Sequence, residues 1–135
     1  MSLTVFRKAH FNAAHRLYRK DWSDEKNQSV FGKCNNPNFH GHNYELFVGL
    51  TGDIDTETGF LIDIEKLKKI IREEVEDYLD HKNLNIEIPE FKKLNPTMEN
   101  IAIVIWNKLR IRLESKYEIS VKLFETPRNF VIYNG

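Results

Sequence analysis

Two closely spaced histidines lead into a run of alternating residues, and this pattern constrains both the fold and the chemistry of the chain. His40 and His42 are separated only by Gly41. If His42 begins a strand, both imidazoles leave the same face and can reach one ion, while Gly41 lets the backbone bend close to that ion. The run behind them has an apolar residue at every second position, which predicts a strand that ends at the turn Gly52-Asp53.

Two other residues strengthen the interpretation as a metal site. His15 follows the first predicted strand, and a neighbouring antiparallel strand would bring it beside His40 and His42. Three neutral imidazoles with an open fourth position are typical of a catalytic zinc site rather than a structural one. Cys34, the only cysteine, lies among asparagines and a proline, so its thiol would serve as a base, a nucleophile or a fourth ligand. The alternatives are a solvated His15 and a Cys34 that acts as a small buried apolar residue.

Composition narrows the class of protein. A chain of 135 residues is expected to form one domain, 1–135. Its 20 basic and 20 acidic residues balance, so no global field favours nucleic acid or an anionic membrane. A single cysteine cannot form an internal disulfide, and no apolar run approaches the ~20 residues of a spanning helix. Because no leader pattern opens the chain either, we expect a soluble cytoplasmic protein.

Periodicity predicts an α+β fold in the order β-β-α-α-β-β, an antiparallel sheet with two helices on one face. Residues 22–38 are interpreted as a long loop and 85–95 as a connector. Four strands leave two open edges, which are a liability unless another subunit covers them. The predicted elements are strands at 4–16, 42–52, 118–126 and 130–133, and helices that begin at Asp63 and Pro96.

Five polar residues outside the histidine cluster also suggest function. Asp80 and His81 end the first helix, where an aspartate opposes the helix dipole, although a surface Asp and a capping His are an equal alternative. Glu125 is in register with the buried face of the third strand and therefore needs a partner. Thr97 and Glu99 begin the second helix, where capping and dipole matching are the obvious alternative.

Five segments of the chain resemble the 6-pyruvoyl-tetrahydropterin synthase family, and the similarity covers nearly the whole sequence. Any one of them could arise by chance, but five in the order of the family are highly specific. The segments are FNAAHRL at 11–17, CNNPNFHGHNY at 34–44, LDHKNL at 79–84, PTMEN at 96–100 and LFET at 123–126.

The resemblance implies a zinc-dependent enzyme that acts on a pterin. Cys34 would be the catalytic base, and Asp80 with His81 would form a proton relay. Zn²⁺ would be bound by three histidines: His15, His40 and His42. The pterin ring would be held by Thr97, Glu99 and Glu125, with the carboxylate of Glu125 gripping the guanidine-like edge of the ring.

The same resemblance implies a quaternary structure. The fold of the family is the T-fold, or tunnelling fold, in which sheets from several subunits join into a barrel. Two trimers stack as a homohexamer, and the active sites form between subunits. Asp80 and His81 would therefore serve the zinc of a neighbouring subunit.

The implied substrate is 7,8-dihydroneopterin triphosphate, with two possible products. Elimination of triphosphate gives 6-pyruvoyl-tetrahydropterin in tetrahydrobiopterin biosynthesis. The alternative is 6-carboxy-tetrahydropterin synthase of queuosine biosynthesis, which also releases acetaldehyde; segment 51–68 resembles that relative at least as much. A third hypothesis is a zinc-stabilised binding module without turnover. No nicotinamide or flavin is implied, and the chain has no glycine-rich dinucleotide motif.

Two departures from the family pattern bear on the product. Met98 stands where Thr or Ser is usual, and Phe39 replaces a small residue before the HGH motif. An apolar pocket rim disfavours hydrolytic cleavage, so we favour 6-pyruvoyl-tetrahydropterin. Cys34 separates the chain from family members that lack the cysteine and catalyse a different side-chain cleavage.

Overall fold

A five-stranded open sheet forms one layer of the fold in a computed structural model that describes residues 2–135. The strand order is β3-β1-β2-β4-β5, with every neighbouring pair antiparallel except β1 and β3, which are parallel. The strands are β1 (Ser2–His15), β2 (His40–Asp53), β3 (Lys82–Asn83), β4 (Glu118–Phe124) and β5 (Phe130–Tyr133).

Helices cover one face of this sheet and form the second layer. A π-helical turn (Arg72–Glu76) joins the second and third helices, and 3₁₀ turns span Gly32–Asn35 and Pro89–Lys92. No helix within residues 2–135 has the length and apolar character needed to cross a bilayer. The helices are α1 (Asp24–Phe31), α2 (Ile64–Ile71), α3 (Asp77–Leu79), α4 (Leu84–Glu87) and α5 (Met98–Arg112).

The hydrophobic core lies between the sheet and the helices, as the periodicity predicted. Alternate residues are buried in β1 from Ala9 onward, in β2 from Tyr44 to Leu50 and in β4, so only one face of the sheet joins the core. On the helices, Leu67, Ile71, Val75 and Leu79 are buried at intervals of four residues. This interval exceeds the 3.6 residues of an α-turn, and the π-helical turn takes up the difference, so the buried side chains stay on one line.

Two predictions about irregular segments were wrong. Segment 22–38 is not a long loop, because it contains α1, whose N-cap Ser23 accepts a hydrogen bond from the backbone N–H of Lys26. The only buried residue of α1 is the polar Asn27, so the helix has no apolar stripe by which it could be predicted. The connector 85–95 likewise contains the end of α4 and a 3₁₀ turn that begins at Pro89.

The predicted sheet also needs two corrections. It has five strands rather than four, because two residues of β3 pair with Ala13 and Ala14 and cover the end of the outer edge of β1. So short a strand carries no periodic signal. Strand β4 ends at Phe124, and Glu125 lies in the following turn, where its N–H donates to the carbonyl of Asn129.

Strands β1 and β2 position the candidate site. They pair along their whole length, and the register sets His15 opposite His40 and Ala13 opposite His42. The last residue of β1 and the first residue of β2 therefore meet at one end of the sheet, on the face that carries the helices.

Candidate metal centre and its surroundings

Three histidines converge at the end of the β1–β2 ladder. His15 is only 1% exposed, and His40 and His42 are half-buried. One nitrogen of each ring lies within 4.8 Å of the others. The buried nitrogens Nε2 of His15, Nδ1 of His40 and Nε2 of His42 have no hydrogen-bond partner. Three inward lone pairs without a partner are costly in an empty protein interior, and a metal ion would satisfy them.

The orientation of His15 is fixed by the start of α5. Its Nδ1–H donates to the backbone carbonyl of Pro96 over 2.7 Å, which leaves Nε2 as the lone-pair nitrogen that faces the other histidines. Pro96 is held there because Thr97 is the N-cap of α5, with its hydroxyl accepting from the N–H of Asn100. A carbonyl behind a ligating imidazole is the usual way in which proteins orient such a ring.

Burial keeps the three imidazoles neutral. It lowers the pKa of His15 to about 4, with repulsion from His40 and His42 adding to the effect. Desolvation also lowers the pKa of His40 and of His42. The contact of 4.0 Å between His15 Nε2 and Glu125 Oε2 is therefore not an ion pair at neutral pH. Metals bind the neutral form of histidine, so the electrostatics and the donor set both fit a divalent metal ion.

Glu125 supplies a carboxylate beside this cluster. Burial raises its pKa, and the nearby charge of Glu99 acts in the same direction, while His40 opposes it. A cavity of about 480 Å³ lies between the start of β2 and the turn after β4, with His42, Tyr44 and Glu125 in its wall. A half-buried carboxylate in a cavity wall can accept hydrogen bonds from adjacent N–H donors of a ligand.

Gly41 permits the close approach of the two strands at this point. A Cβ atom at Gly41 would lie 3.3 Å from the carbonyl oxygen of Ala13, which is tighter than ordinary van der Waals contact. The residue on the other side of His40 is strained instead: Phe39 has φ 68°, in the left-handed region that glycine tolerates best. A glycine at this position would adopt the same angle without steric cost.

Cys34 lies in the 3₁₀ turn that precedes β2 and is half-buried. The backbone N–H of Leu17 donates to the carbonyl of Cys34 over 2.8 Å. The turn that carries the thiol is thereby attached to the chain two residues beyond His15.

Asp80 and His81 lie beside the other edge of β1. The backbone of Asn12 bonds to both: its N–H donates to Asp80 Oδ1 over 2.9 Å, and its carbonyl accepts from the N–H of His81 over 2.7 Å. The Asn12 N–H is the main reason that the pKa of Asp80 is lowered, and His81 Nδ1, 2.9 Å from Asp80 Oδ2, adds to it. These contacts offset the unfavourable end of the helix dipole.

The structure therefore separates seven of the nine predicted site residues into two groups, while Cys34 lies in the turn before β2 and Thr97 caps α5. One contains the histidine cluster with Glu125 and, close to it, Glu99. Across residues 2–135, no hydrogen bond or ion pair links the other group, Asp80 and His81, to the cluster. A cavity of about 590 Å³ has both His81 and His42 in its wall.

Comparison with known proteins assigns the family. Residues 4–135 match the family model for 6-pyruvoyl tetrahydropterin synthase. The chain belongs to this family. The 6-pyruvoyl tetrahydrobiopterin synthase of Homo sapiens is 46% identical over 131 residues, which cover 97% of this chain and 90% of the human protein.

Two further relatives cover nearly the full length. The 6-pyruvoyl tetrahydrobiopterin synthase of Dictyostelium discoideum is 43% identical over 137 residues, 100% of this chain and 99% of that protein. The solved structure of Caenorhabditis elegans 6-pyruvoyl tetrahydropterin synthase superposes with a TM-score of 0.94 at 40% identity, covering 100% of this chain and 96% of that one. The family resemblance expected from five motifs is confirmed, and with it the mixed α+β fold.

Three groups that shape the site were missed in the sequence. They are the carbonyl of Pro96, the backbone of Asn12 and the side chain of Tyr44, which stacks on Phe11 beneath the histidines. Each belongs to one of the five motifs, so the motifs did mark the right segments. Two of the groups act through backbone atoms, however, and a residue type says nothing about where its carbonyl points.

We expect the metal-free protein to lose stability as the pH falls from about 6.5 towards about 4. Unfolded histidine titrates near pH 6.5, whereas folded His15 titrates near 4, so the unfolded chain takes up the proton first. The free energy of unfolding should fall by up to about 1.4 kcal/mol per pH unit for this group. Urea denaturation of the protein after removal of metal with a chelator, repeated across this pH range, measures how steeply the free energy of unfolding changes with pH.

Matched variants identify the group responsible. His15→Gln should make the pH dependence shallower, because it removes one of the three histidines whose pKa is lowered. The matched control is His10→Gln, on an exposed position of β1. An equal slope in wild type and His15→Gln would show that other groups control acid stability.

Proposed function

We propose that this protein is a zinc-dependent 6-pyruvoyl tetrahydropterin synthase, which converts 7,8-dihydroneopterin triphosphate into 6-pyruvoyl tetrahydropterin with elimination of triphosphate. The supporting observation is the set of three buried histidine nitrogens without partners, in a chain that matches the family over residues 4–135. The names of the human and Dictyostelium relatives favour this activity over the 6-carboxy alternative.

Zinc suits the donor set because three neutral imidazoles leave one tetrahedral position free. The proposed ligands are His15, His40 and His42. When bound, zinc would polarise the side-chain hydroxyls of the substrate and make neighbouring C–H bonds more acidic. Pro96 keeps His15 in the tautomer that presents Nε2.

We assign the remaining roles by chemistry and position. Glu125 binds the pterin ring, because its carboxylate lies in a cavity wall next to His42 and matches paired N–H donors. Glu99, whose charge raises the pKa of Glu125, and Thr97 complete this ring site at the start of α5. The carboxylates of Glu125 and Glu99 repel each other, so a ligand that donates N–H groups to them also relieves that repulsion.

Two groups would handle protons. Cys34, as the thiolate, removes a carbon-bound proton from the substrate side chain, and the pair Asp80–His81 exchanges protons on the opposite side. Asp80 is suited to hold His81 in orientation because its own carboxylate is fixed by the N–H of Asn12. The departure of triphosphate and internal redistribution of electrons within the pterin complete the reaction.

We also propose that the single domain 1–135 assembles as a homohexamer, a dimer of trimers whose sheets form the T-fold barrel. Two features support it. Strand β5 leaves a sheet edge free within residues 2–135, and Asp80 with His81 has no bonded link to the histidine cluster of its own chain. Both are explained if a neighbouring subunit adds to the sheet and receives the Asp80–His81 pair.

We expect about one zinc ion per chain in the purified protein. His42→Ala should lose most of it, because Nε2 of His42 is one of the three unpartnered nitrogens. Metal analysis by plasma mass spectrometry measures the content, with His10→Ala as the exposed control on the same sheet. Unchanged zinc in His42→Ala would remove His42 from the site.

Cys34→Ala should bind zinc and pterin but not turn over the substrate, because the base is lost while the pocket remains. Anaerobic incubation with dihydroneopterin triphosphate, followed by mass analysis of the pterin and an acetaldehyde assay, tests the activity and the product together. An active but less stable Cys34→Ala would mean that the thiol only packs. Stoichiometric acetaldehyde from wild type would establish the 6-carboxy reaction, and binding without turnover would establish a non-catalytic module.

Glu125→Gln should weaken pterin binding by about 1–3 kcal/mol, since the amide loses the charge and turns an NH₂ group towards the donors of the ring. Titration calorimetry with a non-reactive pterin measures the change. Because Glu125 is not among the proposed zinc ligands, the zinc content should not change. Equal affinity in the two proteins would contradict the anchoring role.

The mass in solution should correspond to six chains. Light scattering coupled to size exclusion measures it at micromolar concentration. A monomer that retains full activity would disprove both the assembly and the proposed sharing of Asp80 and His81 between subunits.

A further inference from the structure

Residues 16–18 follow β1 and belong to no strand, but hydrogen bonds hold them on both sides. Three asparagine side chains bond to their backbone or to their side chains. On one side, Asn85 both donates to the carbonyl of Arg16 and accepts from its N–H, over 2.9 and 2.8 Å. Further along, Asn95 accepts from the N–H of Tyr18. Amide side chains thus take the place of a neighbouring strand for residues 16–18.

On the other side, the guanidinium of Arg16 makes a two-pronged contact with a single residue. Its Nε donates to the backbone carbonyl of Asn35 over 2.8 Å, and its Nη2 donates to Asn35 Oδ1 over 3.1 Å. Asn35 is 8% exposed. The guanidinium carbon also lies 3.9 Å from the ring centre of Tyr18, so the aromatic ring packs against the guanidinium and helps to hold it in place. Only arginine offers two parallel donors in this rigid geometry.

These bonds connect two parts of the proposed site. Arg16 directly follows His15, and Asn35 directly follows Cys34. With the bond from the N–H of Leu17 to the carbonyl of Cys34, three hydrogen bonds tie the thiol-bearing turn to the end of β1. The metal ligand and the thiol lie on different elements, and this clamp fixes one relative to the other.

We propose that Arg16 is a positioning residue, which holds Asn35 and thereby sets the place of the Cys34 thiol relative to His15. The proposal rests on the proposed function, in which Cys34 is the base. Both donors of the fork described above are directed at Asn35. A displacement of about 1 Å at a reacting group can cost about 100-fold in rate, so a clamp of this kind would matter for turnover more than for stability.

Two other roles would make different demands on residue 16. A contact to a phosphate of the substrate would act through substrate binding, so its loss would raise KM. If Arg16 only stabilised residues 16–18 in their folded position, loss of the Asn85 contacts on the opposite side would lower kcat equally. The fork needs the guanidinium itself, since lysine cannot donate in parallel to the two acceptors of Asn35.

The test compares Arg16→Ala, Arg16→Lys and the control Asn85→Ala in the full-length protein. Both Arg16 variants should lower kcat by about 10- to 100-fold with KM and zinc content within about twofold of wild type. Asn85→Ala should lower the melting temperature but keep kcat. Because Cys34 is the only cysteine, its alkylation rate with iodoacetamide reports on the turn independently of turnover. It should rise in both Arg16 variants and not in Asn85→Ala.

Several results would overturn the proposal. Wild-type kcat in Arg16→Lys would mean that charge alone is needed, and a raised KM with kcat preserved would make Arg16 a substrate contact. Equal losses of kcat in Arg16→Ala and Asn85→Ala would show that Arg16 only stabilises the structure of this segment. If wild type does not turn over the substrate, the proposed function fails instead, and the alkylation rates still decide whether Arg16 clamps the turn.

Discussion

The pairing of β1 with β2 is the constraint on which the rest of the structure depends. Fourteen pairs run from Ser2 opposite Asp53 to His15 opposite His40, and the buried face of both strands belongs to the core. A slip of one residue would move His40 and His42 to the outer face and expose the apolar residues in register with them. The hydrophobic face of β2 thus fixes the position of the histidines, and the core and the candidate metal centre are specified by the same alternation.

Desolvation gives this centre its chemical character. Burial of His15 at the end of the ladder makes the protonated ring unfavourable and leaves a neutral imidazole at physiological pH. The same burial raises the pKa of Glu125, which lies 4.0 Å from His15 Nε2. Both groups are held in arrangements that an empty, dry interior would penalise. A metal ion for the histidines and N–H donors for the carboxylate would remove these penalties. The arrangement of these side chains is therefore better explained by the binding of ligands than by a contribution to folding stability.

Local backbone and charge preferences are broken at the places to which we assign catalysis. Phe39 and His81 are the two residues other than glycine with positive φ within 2–135, and each is next to a proposed functional residue. Asp80 lies at the unfavourable end of a helix and is stabilised by the N–H of Asn12 and by His81. Such exceptions persist only where surrounding contacts enforce them. At Asp80 and His81 the hydrogen bonds come from Asn12 of β1, so the longest ladder of the sheet also supports this strained turn.

The sequence by itself determined the alternation of β2 and β4, the two main helices with their caps at Asp63 and Thr97, and, through five motifs, the family. It did so because periodicity and capping are local, and the motifs are compact. Only the tertiary structure decided the rest: that the polar helix around Asn27 exists, that β3 pairs with the end of β1, and that the carbonyl of Pro96 selects the tautomer of His15. Each of these features depends on a hydrogen bond between a backbone group and a residue at least 8 positions away in the chain. Residue types alone do not show where such backbone groups point.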